Sequence, residues 1–384
     1  MKIELTPQQK QDQAAFKAFV QEEIVPRANR YDQEESTPPD LIEKVARMGY
    51  LGALAPREYE GSGMDMITFG LLAEELGRGC SSIRSLLTVH SMVIHAILRW
   101  GSHSLKELWL PRLATGKTIG AFGLSEPNAG SDAQSIETTA TLSGNDYVLN
   151  GQKKWTTYGQ IADLFLIFAR YEGKICAFLV ERDAPGLTVK PLFGILGTRA
   201  SMLAEIHLQD CRIPKANLVG GRGFGLASVA TSALDIGRYT VAWGCVGIIQ
   251  ACLDASLCYT SQRKQFGAYL KDHQLIQQMI TNMLTNVQAA RLLCYQSGYM
   301  KDVGDPNTVM ATWIAKYFAS ISASSAARDA VQIHGANGCS QEYAVQRYLR
   351  DTTVMEIIEG STQIQQITLA QYAYQTHAAN LQPA

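Results

Sequence analysis

Glu359 is the residue on which chemistry in this chain can turn. It stands in Glu356-Ile357-Ile358-Glu359-Gly360-Ser361-Thr362, directly before a glycine and among apolar neighbours. A desolvated carboxylate holds its proton more tightly, which moves it toward the range of a useful general base. The alternative is a surface glutamate at a helix C-terminus. Upstream, Gln332-Ile333-His334-Gly335-Ala336-Asn337-Gly338 carries two glycines that allow backbone to approach a ligand closely, and Arg347 and Asp351 follow.

Three other segments could share in such chemistry. Phe122-Gly123-Leu124-Ser125-Glu126-Pro127-Asn128-Ala129-Gly130-Ser131-Asp132 combines small residues with the hydroxyls of Ser125 and Ser131, so it suits a loop wrapped around a ligand. Read alone, it is equally a polar loop. Trp155-Thr156-Thr157 places an indole beside two hydroxyls, able to cover a flat aromatic ligand and bond its edge, or simply to pack a strand. Arg263-Lys264-Gln265-Phe266-Gly267, with His273-Gln274, offers a guanidinium for phosphate and a ring for stacking, or an interhelix loop with a solvated charge pair.

The elements that must position these residues fall into three zones. Residues 1–118 read as helices, with Ser36-Thr37-Pro38-Pro39-Asp40 ending one and capping the next at Leu41. Helices are predicted over 67–77 and 83–100. Residues 119–228 change to a period of two, and Asn150-Gly151 is the strongest two-residue hairpin signal there. Closely spaced strands without intervening helices indicate an antiparallel β domain. From 229 to 384 the helical period returns. Leu275, Ile276, Met279, Ile280, Met283, Leu284 and Val287 line one face of an amphipathic bundle helix.

Composition narrows the function classes. The 384 residues are 46% apolar and 18% charged with a net charge of −1, and no basic run invites nucleic acid or an anionic membrane. The polar N-terminus lacks the apolar core of a signal peptide, and no stretch is expected to approach the ~20 apolar residues of a membrane span; both point to the cytoplasm. The eight cysteines form no C-x-x-C pair and the seven histidines show no metal spacing, so neither disulfides nor a metal are expected. Gly221-Arg222-Gly223-Phe224-Gly225 follows β structure and opens no βαβ unit, which makes a Rossmann reading weak.

In this order the segments resemble the acyl-CoA dehydrogenase family over essentially the whole chain. Gly123 to Asp132 meets the family's first signature throughout. Gln332, Gly335, Gly338, Glu342, Arg347 and Asp351 match the second, with departures at Ala336 and Cys339. The resemblance implies an α+β multidomain fold: an N-terminal helical domain (1–118), a middle antiparallel β-barrel-like domain (119–228) and a C-terminal four-helix bundle (229–384). It implies FAD, and a homotetramer built as a dimer of dimers. The isoalloxazine would lie between the β domain and the bundle, near Phe122, Gly123, Leu124, Ser125, Gly130, Ser131, Trp155, Thr156 and Thr157. Arg263, Gln265, Phe266 and Gln274, with Gln332, Ile333, Gly335 and Ala336, would hold the adenine end across a subunit boundary. Ser361, Thr362 and Gln363 would close over the cofactor.

The resemblance further makes Glu359 the base that takes the α-proton of an acyl thioester as a β-hydride passes to flavin N5, with the thioester carbonyl bonded by a ribityl hydroxyl and the Glu359 N–H. Relatives that carry the base on the first bundle helix place it directly before an arginine. Here that position is Gly237, before Arg238. Ser131, Arg238 and Gly360 would contact substrate. Segments 80–85, 241–247 and 355–361 look like the acyl-carrier-protein dehydrogenases that make methoxymalonyl or hydroxymalonyl extender units for polyketide and nonribosomal peptide pathways. Arg84 would then meet a polar or carboxylate acyl end and Trp243 shorten the acyl pocket; alternatively, Arg84 is a surface or interdomain ion pair and Trp243 is bundle core. A short-chain acyl-CoA dehydrogenase served by an electron-transferring flavoprotein is the second reading, and a non-catalytic flavin- or acyl-CoA-binding relative the third.

Overall fold

The computed structural model describes residues 4–377. Its helices are α1 (Pro7–Phe19), α2 (Ala28–Glu34), α3 (Pro39–Arg47), α4 (Met66–Gly79), α5 (Ser81–Trp100), α6 (His103–Ala114), α7 (Thr231–Gln262), α8 (Gln274–Asp302), α9 (Thr308–His334), α10 (Val345–Ile357) and α11 (Thr362–His377). The strands are β1 (Gly120–Gly123), β2 (Thr139–Ser143), β3 (Asp146–Thr156), β4 (Leu164–Tyr171), β5 (Lys174–Glu181), β6 (Leu187–Pro191), β7 (Ala204–Pro214) and β8 (Leu218–Val219), with a small hairpin of β9 (Lys264–Gln265) and β10 (Ala268–Tyr269). Two compact units share the chain. One combines Met1–Asn29, Met66–Ser81 and Arg238–Ala384; the other combines Arg30–Asp65 and Ser82–Gly237.

The second unit holds the sheet, ordered β6-β7-β3-β2-β4-β5-β8, with β1 beside β4. Pairing is antiparallel except where β4 meets β1 and the start of β2, which run parallel to it. Strand β4 is apolar and buried from Leu164 to Ala169, where both of its faces are covered. Leu164, Leu166 and Phe168 join a core with Val93, Ile97 and Leu110 of α5 and α6, while Phe165 and Ile167 join one with Tyr147, Phe178 and Ile206.

Asn150-Gly151 is no hairpin turn: it lies inside the unbroken strand β3, at a register shift against β7. Gly151 has φ +150°, and Asn150 uses its amide to hold Asp210, accepting from its N–H at 2.8 Å. The turn between β2 and β3 is made by Gly144-Asn145 instead, where Ser143 pairs with Asp146. Helix α3 begins at Pro39, with proline at its first position and no side-chain cap from the 36–40 segment.

In the first unit α7, α8 and α9 are long, at 32, 29 and 27 residues. Of the predicted apolar stripe on α8 only Met283 and Val287 are buried, and Ala290 and Cys294 continue that buried line at three and four, while Leu275 and Leu284 are exposed. Two helical stretches, Ser81–Trp100 and Gly225–Gln262, are long and apolar enough to cross a membrane by length and composition, contrary to the expectation from sequence. Their apolar windows are 89% and 72% buried within the fold, so their apolarity is used in the core.

Candidate active site

The residues singled out from sequence divide between the two units. In the sheet-bearing unit, β1 leads into the 124–132 segment, and a buried ion pair fixes its path. The Glu126 carboxylate accepts from Lys153 Nζ at 2.5 Å, from Thr138 Oγ1 at 2.5 Å and from the N–H groups of Glu137 and Thr138. Burial opposes ionisation of Glu126, but these donors outweigh it and hold the group below the usual carboxylate range. Lys153 also donates to the Leu124 carbonyl, and the N–H of Lys154 to the Ser125 carbonyl at 2.9 Å. Glu126 and Lys153 therefore bring Phe122, Gly123, Leu124 and Ser125 beside the end of β3. Phe122 is half-buried against Phe168, whereas Gly130 and Ser131 are exposed farther along the loop.

At the end of β3 the backbone is strained in a way that presents side chains. Trp155 (φ +63°) and Tyr158 (φ +55°) both adopt the left-handed conformation, rare for bulky residues and concentrated at functional sites. Trp155 stays 53% exposed, with Lys154 Nζ 5.1 Å from its ring centroid. Tyr158 is buried and anchored, its hydroxyl donating to the Ser82 carbonyl and its N–H bonding the Ser201 carbonyl. Between them, Thr157 is half-buried. Thr156 is buried, and its Oγ1 has no hydrogen-bond partner among the described residues. An exposed indole beside an orphaned hydroxyl suits the face and edge of an isoalloxazine, so these residues fit FAD. On α5, the wholly buried Arg84 donates to Thr88 Oγ1 at 2.8 Å and Ser85 Oγ at 3.2 Å.

In the helical unit, α10 ends at Ile357, Ile358 caps it in extended backbone, and Glu359 turns left-handed (φ +57°), followed by Gly360 (φ +95°). Two cations hold this turn. Arg238 Nε of α7 donates to the Glu359 carbonyl at 2.9 Å, and Lys316 Nζ of α9 donates to the Gly360 carbonyl at 3.0 Å. Arg238 is itself buried, its guanidinium 4.1 Å from the Trp313 ring centroid. Ser361 caps α11, its carbonyl accepting from the Gln365 N–H, and Thr362 Oγ1 bonds Glu356; Gln363 is exposed. The structure thus gathers Glu359, Gly360 and Arg238, and adds Lys316, which sequence reading missed. Its signal was slight: α9 is rich in alanine and serine and carries a second cation, Arg328.

Trp243 lies elsewhere on α7. Five residues beyond Arg238, it is turned about 140° around the helix. It is fully buried, its ring centroid 5.2 Å from that of Tyr295 and 6.2 Å from that of Tyr239. That placement fits the bundle-core reading rather than a pocket wall beside Glu359. Arg263, Gln265 and Gln274 are exposed around the β9–β10 hairpin, and Phe266 at its tip is 99% exposed with φ +52°. At the end of α9, Gln332 and Ala336 are exposed, Ile333 is buried and Gly335 takes φ +59° and ψ −137°, open essentially to glycine alone. Ala336 is not at positive φ, so its departure from glycine brings no backbone strain. No cluster of metal-ligating side chains occurs among the described residues.

Comparison with known proteins agrees along the whole chain. The family models described as acyl-CoA dehydrogenase N-terminal, middle and C-terminal domains match residues 6–117, 121–211 and 221–373. The probable acyl-CoA dehydrogenase YngJ of Bacillus subtilis is 39% identical over 96% of this chain and 99% of its own. The short-chain specific mitochondrial acyl-CoA dehydrogenase of Rattus norvegicus is 38% identical over 92% and 86%. Among solved structures, a glutaryl-CoA dehydrogenase in complex with glutaryl-CoA superposes with a TM-score of 0.95 at 34% identity, covering 100% of this chain and 99% of that one. FkbI, from the biosynthesis of a methoxymalonyl extender unit, superposes with a TM-score of 0.87 at 32% identity over 97% and 100%. Matched in all three of its parts by full-length relatives, this chain belongs to the acyl-CoA dehydrogenase family.

Proposed function

We propose that this chain oxidises a short acyl thioester with a polar or carboxylate-bearing acyl end, delivered on an acyl carrier protein, with Glu359 as the base. Membership of the family makes it an FAD-dependent oxidoreductase acting on CH–CH groups. When bound, the flavin supplies the hydride acceptor. The observation that carries the reading is the Glu359 turn, a carboxylate in left-handed backbone whose own carbonyl is gripped by a buried guanidinium. Such a residue is fixed before substrate arrives, which is what α-proton abstraction from a weakly acidic thioester requires.

Arg84 supports the substrate class. A buried guanidinium that already bonds the Thr88 and Ser85 hydroxyls is of the residue type that meets a carboxylate with paired N–H groups. The glutaryl-CoA complex, whose acyl group ends in a carboxylate, is a likeness in the same direction. Carrier delivery is supported by segments 80–85, 241–247 and 355–361 and by the likeness to FkbI. Free CoA thioesters are the second reading, favoured by the higher identity of the short-chain relative. Anaerobic flavin bleaching with one acyl group offered on CoA and on a carrier protein separates them. Faster bleaching by the carrier-bound form is expected; bleaching by the CoA form alone would establish the second reading. We further propose a homotetramer, supported by the exposed apolar side chains Phe266, Leu275 and Leu284.

A further inference from the structure

Lys316 lies mid-helix in α9, whose buried residues are mostly alanines and serines, and its own side chain is wholly buried. A buried ammonium is costly unless its donors are met. Of its three N–H groups, one bonds the Gly360 carbonyl, and that is its one hydrogen bond among the described residues. The charged groups around it are Glu359 and Glu356 at the end of α10 and Arg238 on α7, which also presents the Cys245 thiol. Burial pushes Lys316 down to about 8, against the pull of Cys245, Glu359 and Glu356.

The carbonyl it holds belongs to the hinge between α10 and α11. Gly360, at φ +95°, has more conformational freedom than any other residue type, and Glu359 beside it sits in a backbone region that glutamate rarely adopts. Arg238 fixes the peptide after Glu359; the next peptide is fixed by Lys316. We propose that Lys316 is a positioning residue for the reaction, holding the Gly360 carbonyl so that the left-handed turn keeps the Glu359 carboxylate in place. The inference rests on Glu359 being the base.

Lys316→Met keeps the unbranched stem out to Cε and removes both donor and charge. Anaerobic flavin reduction at saturating thioester should slow on the order of 10²-fold, with the half-saturating concentration unchanged. The acid limb of its pH profile should move to higher pH, because a cation favouring the ionised carboxylate has gone. The thermal midpoint should hold or rise, since a buried charge with a single hydrogen bond has been removed. Lys316→Gln restores a neutral donor and should recover part of the rate but not the position of the acid limb. Wild-type rate and acid limb in both variants would overturn the proposal. So would a lowered midpoint with normal rate per folded enzyme, the mark of a purely structural lysine. Glu359→Gln run in parallel separates the two claims: if it reduces flavin normally, the base assignment fails whatever Lys316 does.

Discussion

Glu359 owes its conformation to its neighbours. An L-residue in the left-handed region costs roughly 1–2 kcal/mol, and hydrogen bonds to charged donors, worth about 1.5–3 kcal/mol each, are enough to hold it there. Arg238 and Lys316 supply two such bonds to successive carbonyls. At Arg84 the same scale gives a prediction. Arg84→Ala should lower kcat/KM for a carboxylate-ended acyl thioester by about ten- to a hundredfold, and leave an unsubstituted butyryl thioester near wild type. Equal losses on both in steady-state assays would mean that Arg84 only braces α5. Glu359 was legible in the sequence because the flanking motif is local. The clamp was not, because Arg238 and Lys316 reach the turn from other helices, and no periodicity links them to it. The pairing of Lys153 with Glu126 was hidden in the same way, since Glu126 read only as part of the 123–132 segment and Lys153 only as a strand residue until the fold buried them together.

Among the elements, α4 and α7 show how closely the core is fitted. A Cβ added at Gly70 would lie 2.3 Å from Trp243 Cε2, so the indole packs directly on the α4 backbone. Gly70→Ala should therefore destabilise the protein by about 1–3 kcal/mol, and Trp243→Phe in the same background should recover part of the loss. Denaturant titration of the double-mutant cycle measures the coupling; strict additivity would contradict the packing. The helix and strand periods were readable here, but the role of an apolar residue was not. Leu284 and Met283 follow the same pattern along α8, yet Met283 is buried and Leu284 exposed. The Asn150-Gly151 dipeptide failed as a guide for a related reason. A bulge and a hairpin turn both want a glycine with unusual φ, and only pairing with β7 decides between them.

For the whole molecule, pH acts through a buried histidine as well as through the site. His90 Nε2 bonds the Leu113 carbonyl at 2.9 Å and Nδ1 accepts the Gly120 N–H at 3.1 Å, so the neutral ring fits and burial pushes its pKa down to about 4. The unfolded chain binds that proton first as pH falls through the usual histidine value near 6.5. Stability is thus lost between about pH 6.5 and 4. The thermal midpoint should fall over this window, and fall less in His90→Asn; equal slopes would remove His90 from the account. Assembly is a separate test, since light scattering should give the mass of four chains, and a monomer with bound FAD would refute the tetramer. Stopped-flow anaerobic flavin reduction by Glu359→Gln, with the thioester that best reduces the native enzyme, should be slower by about 10²–10⁴-fold at an unchanged flavin content. Reduction at close to the native rate would contradict the account.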